Sequence, residues 1–99
     1  MIGYETEQLK KMQTKILKNY GATEQALKMI EEANELIEAI KGYINGTDTK
    51  EHLIEEMGDV ENMIDQFKIH LNAWTDVERV KIFKARRQII RIARGKIDG

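Results

Sequence analysis

Apolar residues recur at steps of three and four along most of this 99-residue chain, which contains no proline. Such steps place side chains on one face of an α-helix, whereas a half-buried strand alternates apolar and polar residues at every second position. Proline would interrupt a helix because it lacks a backbone N–H and clashes with the preceding turn, so its absence allows long helices. The sequence therefore predicts an all-α fold.

Glycines mark the ends of the first two of four predicted helical segments. The first segment runs from about Glu5 to Asn19 and ends at Gly21, since glycine readily adopts the left-handed conformation found after helices. The second follows Thr23 as its N-cap and ends at Gly46. Both boundaries are therefore predicted from local residue preferences.

The last two segments begin with a capping box, in which two side chains satisfy backbone N–H groups at a helix start. Asp48 and Glu51 form this pattern before the third segment, and Thr75 and Glu78 form it before the fourth. The fourth segment continues to about Ala93, so nearly the whole chain is assigned to helix.

The first three segments each carry an apolar stripe, and we expect a single copy of the chain to cover these stripes poorly. The stripes comprise Leu9, Met12, Ile16 and Tyr20 in the first segment, Ala26, Ile30, Ala33, Ile37, Ile40 and Ile44 in the second, and Leu53, Met57, Val60, Ile64, Phe67 and Leu71 in the third. The third stripe is nearly a strict heptad, which indicates lengthwise packing as in a four-helix bundle. A chain of this length buries only about 60 to 65% of its unfolded surface. We therefore expect residues 1–99 to form a single domain, with oligomerisation completing the bundle.

The composition excludes several classes of protein. The chain has no cysteine, which excludes disulfides, thiolate zinc sites and cysteine nucleophiles. It lacks any run of about 18 apolar residues that could span a membrane. The first residues combine neither the basic nor the apolar character of a secretion signal. We therefore expect a cytoplasmic protein without a membrane partner.

Opposite charges are segregated along the chain, although the formal net charge is −1. Residues 24–65 contain twelve acidic residues against three lysines, while residues 76–99 contain eight basic residues against three acids. A metal ion could neutralise the acids while phosphate oxygens bind the bases, so the pattern is compatible with a metal and polyphosphate site. Two solvated helix faces of opposite sign would give the same composition, so the choice depends on the spacing of the acids.

Two pairs of acids are spaced i,i+3 within neighbouring predicted helices. Glu32 and Glu35 form one pair, and Glu56 and Asp59 form the other. Each pair projects from one helix face, and antiparallel packing would bring all four carboxylates to one place. Hard divalent cations such as Mg²⁺ take oxygen ligands and would compensate the clustered negative charge. The spacing thus predicts a Mg²⁺ site.

The same acids carry a resemblance to a known family. The motif E-E-x-x-E, formed by Glu31, Glu32 and Glu35, is followed after twenty residues by E-x-x-D, formed by Glu56 and Asp59. This pattern lies within K-M-I-E-E-A-N-E-L-I-E-A-I and L-I-E-E-M-G-D-V. It resembles the MazG-type all-α nucleoside triphosphate pyrophosphohydrolases. The likeness covers residues 28–60 well and the flanking helices only in type and length.

The resemblance implies hydrolysis of a nucleotide between its α and β phosphates, giving the monophosphate and pyrophosphate. It implies that Mg²⁺, for which Mn²⁺ could substitute, is held by Glu32, Glu35, Glu56 and Asp59. Glu31, or Glu38 further along the helix, would accept the proton of the attacking water or help to bind a further metal ion, and Glu31 is preferred because the motif includes it. The preferred base and sugar stay open.

Basic and polar residues outside the acidic motif are candidates for contacts with the nucleotide. In the family that the chain resembles, the terminal helix often brings basic side chains to the phosphates, which here selects Lys84 and Arg87, with Arg91 in reserve. Asn62 lies one helical turn beyond the second acidic pair and could orient the ligand, while Tyr20 could stack on the base. The resemblance also implies a homodimer or a homotetramer built as a dimer of dimers.

Two other functions fit parts of the sequence. A nucleic-acid-binding module could use the basic C-terminal helix, although the acidic centre would repel nucleic acid. A catalytically silent scaffold would keep the helices without turnover, although every acid of the motif is present. A di-iron carboxylate site needs Glu-x-x-His, and the residues three positions before His52 and His70 are Thr49 and Phe67, so that class is excluded.

Overall fold

The fold consists of four helices in a computed structural model that describes residues 2–95. The helices are α1 (Ile2–Tyr20), α2 (Ala22–Asn45), α3 (Lys50–His70) and α4 (Trp74–Ala93). Residues 2–95 contain no strand, so the predicted all-α fold is confirmed. These described helices include no segment with the length and hydropathy that a bilayer span requires.

Gly21 separates α1 from α2, and Gly46 ends α2, as predicted. Gly21 has a φ of 88° and is itself the N-cap of α2, so the prediction of Thr23 as the cap is wrong. Gly46 adopts the left-handed conformation with a φ of 75°. The N–H of Thr47 then donates to the carbonyl of Gly42 over 2.8 Å, which satisfies one of the last carbonyls of the helix.

Neither predicted capping box forms. The hydroxyl of Thr49 accepts the N–H of His52 at 3.1 Å, so Thr49 caps α3. Asp48 instead pairs with the His52 ring at 2.6 Å. Helix α4 begins at Trp74 with Ala73 as its N-cap, which has no side-chain acceptor, and Glu78 lies near two lysine ammonium groups, Lys81 at 3.1 Å and Lys68 at 3.8 Å.

The α2–α3 hairpin is the most extensively packed part of the chain. A short turn over residues 46–49 joins its helices, so they run antiparallel. The turn folds closely onto α2, since a Cβ added at Gly42 would lie only 2.7 Å from the Cβ of Asp48. Helix α1 packs on both helices of the hairpin, whereas α4 packs only on α3 among the described elements.

The core within one chain is small and contains many polar side chains. Its buried apolar residues are Leu17, Ala39 and Met63, and its buried polar residues are Gln13, Gln25, Glu32, Glu56 and Gln66. The predicted apolar stripes are largely exposed, as Ile30 at 59% and Ile44 at 75% illustrate. Within one chain the stripes therefore leave apolar surface uncovered, and the buried residues of each helix lie beside the stripe rather than in it.

Helix α4 leaves the body of the molecule after its first turn. Residues 79–90 are all exposed, and α4 contributes no buried residue. The radius of gyration is 16.4 Å, whereas a compact domain of this length has about 13 Å. The end of the basic segment, residues 96–99, lies outside the described residues. The predicted role of oligomerisation in completing the bundle stays a prediction.

Candidate functional site

The acids of the two sequence motifs meet where α2 packs against α3. Carboxylate oxygens lie within 4.8 Å of one another in two groups, Glu31 with Glu32 and Glu35, and Glu32 with Glu56 and Asp59. Glu32 belongs to both groups and links them. The structure thus brings all four predicted metal ligands to one region, together with Glu31, which was predicted to accept a proton.

The two buried acids of this cluster share one arrangement. Oε1 of Glu32 lies 3.2 Å from the ammonium of Lys28, and Oε1 of Glu56 lies 3.2 Å from Nε2 of His52. Oε2 of each acid is buried and has no hydrogen-bond partner among the described residues. Each carboxylate therefore contacts a basic group of the chain through one oxygen and has the other oxygen available.

Burial raises the pKa of Glu32, because desolvation disfavours its charged form. The hydrogen bond from Lys28 opposes this effect, whereas the charges of Glu35 and Asp59 add to it. The pKa of Lys28 is raised in turn, first by its hydrogen bond with Glu32 and then by the charge of Glu31. The cluster thus holds more negative charge than its neighbouring lysine compensates.

His52 is a further neighbour of the cluster that the sequence did not indicate. Its Nδ1 pairs with Asp48 at 2.6 Å, which raises the pKa of His52 and lowers that of Asp48. Glu56 raises the pKa of His52 to a smaller degree. Nothing in the spacing of His52 relates it to the acidic motif beyond its position one turn before Glu56.

The donor set fits a hard divalent cation. Mg²⁺ and similar ions prefer carboxylate oxygens, and the described acids offer them from two helices within a short distance. The unpartnered Oε2 atoms of Glu32 and Glu56 supply the most direct test of fit, since buried carboxylate oxygens ordinarily have a partner. The geometry is compatible with a metal site without identifying the metal.

A cavity of about 690 Å³ opens beside the acids. Glu31, Glu32 and Asp59 form part of its lining, and so do Tyr20 and Asn62, which the sequence selected as contacts for a nucleotide. The apolar part of the lining includes Leu9, Met12, Ile16, Leu27 and Met63. Charged groups and apolar surface thus share one cavity, as a ligand with anionic and ring-like parts requires.

Buried amides also line the cavity, and the sequence analysis missed them. Gln13, Gln25 and Gln66 are at most 6% exposed. Nε2 of Gln13 donates to Oδ1 of Asn62 at 3.1 Å and to Oδ2 of Asp65 at 2.9 Å. Gln66 follows Asn62 by four residues and therefore lies on the same face of α3. This spacing could have identified Gln66 as a residue near the site. No comparable signal distinguishes Gln13.

A comparison with models of protein families identifies a family that matches this chain. Residues 22–90 match the model of the MazG nucleotide pyrophosphohydrolase domain, which is more than half of the chain. The chain belongs to the MazG family. No curated protein and no solved structure gave a significant match. Membership of MazG implies a nucleotide substrate, and the predicted family resemblance is confirmed.

The MazG match begins at the start of α2 and ends near the end of α4. It therefore includes every acid of the cluster but not α1. Helix α1 nevertheless forms one wall of the cavity through Leu9, Met12, Gln13 and Ile16. Part of the cavity is thus built by residues that the family comparison does not cover.

Four of the predicted site residues lie outside both the acidic cluster and the cavity. Glu38 pairs with Lys41 at 3.4 Å and has a side chain that is 74% exposed. Lys84, Arg87 and Arg91 belong to α4, and none of the described residues that line the cavity comes from α4. Arg87 and Arg91 line a separate groove of about 490 Å³ on that helix. Within one chain, the structure does not bring these four residues to the acids.

Proposed function

We propose that this MazG protein hydrolyses a nucleoside triphosphate, or a related nucleotide, between the α and β phosphates. The products would be the nucleoside monophosphate and pyrophosphate, with Mg²⁺ as the metal and Mn²⁺ as a substitute. The family supports the class of reaction. The observation that carries the metal requirement is the pair of buried, unpartnered oxygens of Glu32 and Glu56 beside Asp59.

Four acids would hold the metal in this proposal, namely Glu32, Glu35, Glu56 and Asp59. When bound, the divalent ion would polarise the phosphoryl group and lower the pKa of a coordinated water. The chain itself fixes where the ligand oxygens lie, because α2 and α3 pack firmly against each other. Burial also makes an ionised Glu32 carboxylate costly without a counter-ion, which favours the binding of a cation there.

Glu31 is our candidate for accepting the proton of the attacking water. It lines the cavity and belongs to the acidic cluster, yet its side chain is 59% exposed and can move. Its contact with Lys28, at 3.4 Å, would help to position the carboxylate. Glu38 ranks below Glu31 because it lies outside both groups of acids.

We further propose a homodimer or a dimer of dimers. The exposed isoleucines of α2 and α4 and the extended shape of the chain support association with another copy. A neighbouring copy could also bring Lys84, Arg87 and Arg91 to the phosphates, since in one chain these residues lie on α4, away from the acids. Arginine binds phosphate through two parallel hydrogen bonds, and lysine binds it as a compact charge.

A panel of nucleotides incubated with Mg²⁺ tests the reaction. We expect pyrophosphate and the monophosphate as products, with no turnover when a chelator removes the metal. In water labelled with heavy oxygen, attack at the α phosphorus would place the label in the monophosphate. Label in pyrophosphate, or release of orthophosphate and diphosphate, would refute the proposed bond or position of attack. Absence of turnover on every nucleotide would favour the scaffold or nucleic-acid alternatives.

A further inference from the structure

The glutamines that line the cavity have an unusual deficit of hydrogen bonds. Gln13 and Gln66 are each 2% exposed, and both line the cavity. Oε1 of each is buried without a hydrogen-bond partner among the described residues. A buried amide oxygen without a donor costs free energy of folding, so folding alone gives no reason to keep two of them. They indicate a ligand that supplies the missing donors.

Asp65 determines which atom of Gln13 can accept. Nε2 of Gln13 donates to Oδ2 of Asp65 at 2.9 Å and to Oδ1 of Asn62 at 3.1 Å. An ionised carboxylate accepts hydrogen bonds and cannot donate them, so the amide cannot turn its oxygen toward Asp65 without losing this contact. Gln13 therefore presents an acceptor, and its two N–H groups are already used.

The surroundings of these amides fit a flat heterocycle. Leu9, Met12, Ile16 and Met63 line the same cavity and offer apolar contact to the faces of a ring. Glu31, Glu32 and Asp59 line it as well, and they are the acids proposed to hold the metal that binds phosphate. A nucleotide with its phosphates at the acids would therefore have its base within the amide-lined part.

We propose that Gln13 and Gln66 bind the base of the substrate and select bases with an exocyclic amino group. This inference rests on the proposed function for the position of the phosphates. An exocyclic amino group carries two N–H donors, and N–H donors are what the two unpartnered oxygens lack. A base with a carbonyl in place of the amino group would direct its oxygen toward Oε1 of Gln13. Neither oxygen would then receive a hydrogen bond.

This selection does not follow from family membership. Gln13 belongs to α1, which precedes the matched residues 22–90. The preference for bases with an exocyclic amino group is therefore inferred from the burial and hydrogen bonds of Gln13 and Gln66 in this chain.

Cytidine and uridine nucleotides provide the sharpest comparison, because at ring position 4 one has an amino group and the other a carbonyl. We expect kcat/KM with Mg²⁺ to favour CTP over UTP by about tenfold or more. Gln66→Met, which keeps the length of the side chain and removes its polar atoms, should reduce the ratio to near one. Its Tm should be unchanged or higher, since an unsatisfied buried group is removed. Equal use of CTP and UTP by the wild type would overturn the inference.

Gln25→Met is the matched control, because Gln25 is buried and lines the same cavity but is not among the residues with a fully buried, unpartnered oxygen. It should leave the CTP to UTP ratio unchanged. A purely structural role for Gln66 would instead lower the Tm of Gln66→Met while keeping the ratio, which also contradicts the inference.

Binding of the monophosphates CMP and UMP, measured by calorimetry, separates this inference from the proposed function. Preference for CMP, lost in Gln66→Met, would support the inference even if no triphosphate were hydrolysed. Hydrolysis of CTP and UTP at equal rates, with equal binding of CMP and UMP, would leave the proposed function standing and refute the selection.

Discussion

The α2–α3 hairpin is acidic and helix α4 is basic, and although both also carry apolar residues, the chain covers them very differently. The hairpin buries Glu32, Ala39, Glu56 and Met63, whereas α4 has no buried residue. Ile89 of α4 is 65% exposed, although it lies in an amphipathic helix. The difference indicates that the acidic cluster is organised within one chain, while the basic helix stays largely uncovered there.

The difference in burial between the hairpin and α4 arises from how each helix is held to the rest of the chain. A short turn holds α2 against α3, so their facing side chains meet at little cost in chain entropy. Helix α4 is anchored mainly at its start, where Trp74 lies 4.1 Å from the Lys10 ammonium and 4.7 Å from the Lys68 ammonium. Beyond that anchor, its position is determined by few contacts. Four predictions test how far the contrast extends.

The largest expected effect is on turnover and concerns the hairpin. Glu35→Gln and Asp59→Asn should each lower kcat/KM on the order of a thousandfold, because each removes a charged oxygen ligand from the cluster. Glu38→Gln is the matched control, since Glu38 lies on the same helix outside the cluster. Steady-state kinetics of pyrophosphate release measures all three. A loss in Glu38→Gln as large as in Glu35→Gln would instead assign Glu38 to the site.

The second prediction compares the stability that each region contributes. Met63→Ala should lower the free energy of unfolding by about 2 to 4 kcal/mol, because Met63 is 6% exposed and its removal leaves a cavity. Ile89→Ala, at a position that is 65% exposed, should cost less than about 0.5 kcal/mol within a monomer. Urea unfolding at low protein concentration measures both. A large cost for Ile89→Ala that grows with protein concentration would mean that another copy covers α4.

The third prediction concerns the response of the hairpin to metal and pH. Mg²⁺ at a hundred times its dissociation constant should stabilise the protein by about 2.7 kcal/mol, which thermal melting measures. The metal-free protein should lose stability as pH rises from 4.5, the ordinary pKa of Glu32, through its raised pKa in the fold, because the buried carboxyl then ionises. Glu32→Gln should remove that loss and weaken the response to Mg²⁺. An unchanged pH profile would contradict the assigned cause.

The smallest effect is expected from single charges on α4. Arg87→Ala should raise KM for the nucleotide by at most about fivefold, and the difference should diminish at high salt, since exposed charges are screened. Arg79→Ala is a control on the same helix outside the groove. Equal effects of the two variants would argue against a specific phosphate contact. If nucleic acid were the ligand, Arg87→Ala would weaken its binding, whereas Asp59→Asn would not.

The sequence predicted the parts of the site that depend on spacing along one helix. Glu32 and Glu35, like Glu56 and Asp59, share a helix face whatever the packing, because i,i+3 neighbours are fixed by helical geometry. Gly21 and Gly46 likewise mark helix ends through their own conformational preference. The cap of α3 was predicted one residue too early: the hydroxyl of Thr49 accepts the N–H of His52, while the neighbouring Asp48 pairs with the His52 ring.

By itself, the sequence determined an all-α chain with two acidic pairs on neighbouring helices and a resemblance to MazG. Only the tertiary structure decided that Gln13 and Gln66 would be buried while Ile30 and Ile44 stay exposed. The reason is that periodicity gives the apolar side of each helix separately, whereas burial depends on how the helices are rotated against one another. That rotation placed amides and acids on one cavity, and it left α4 largely uncovered.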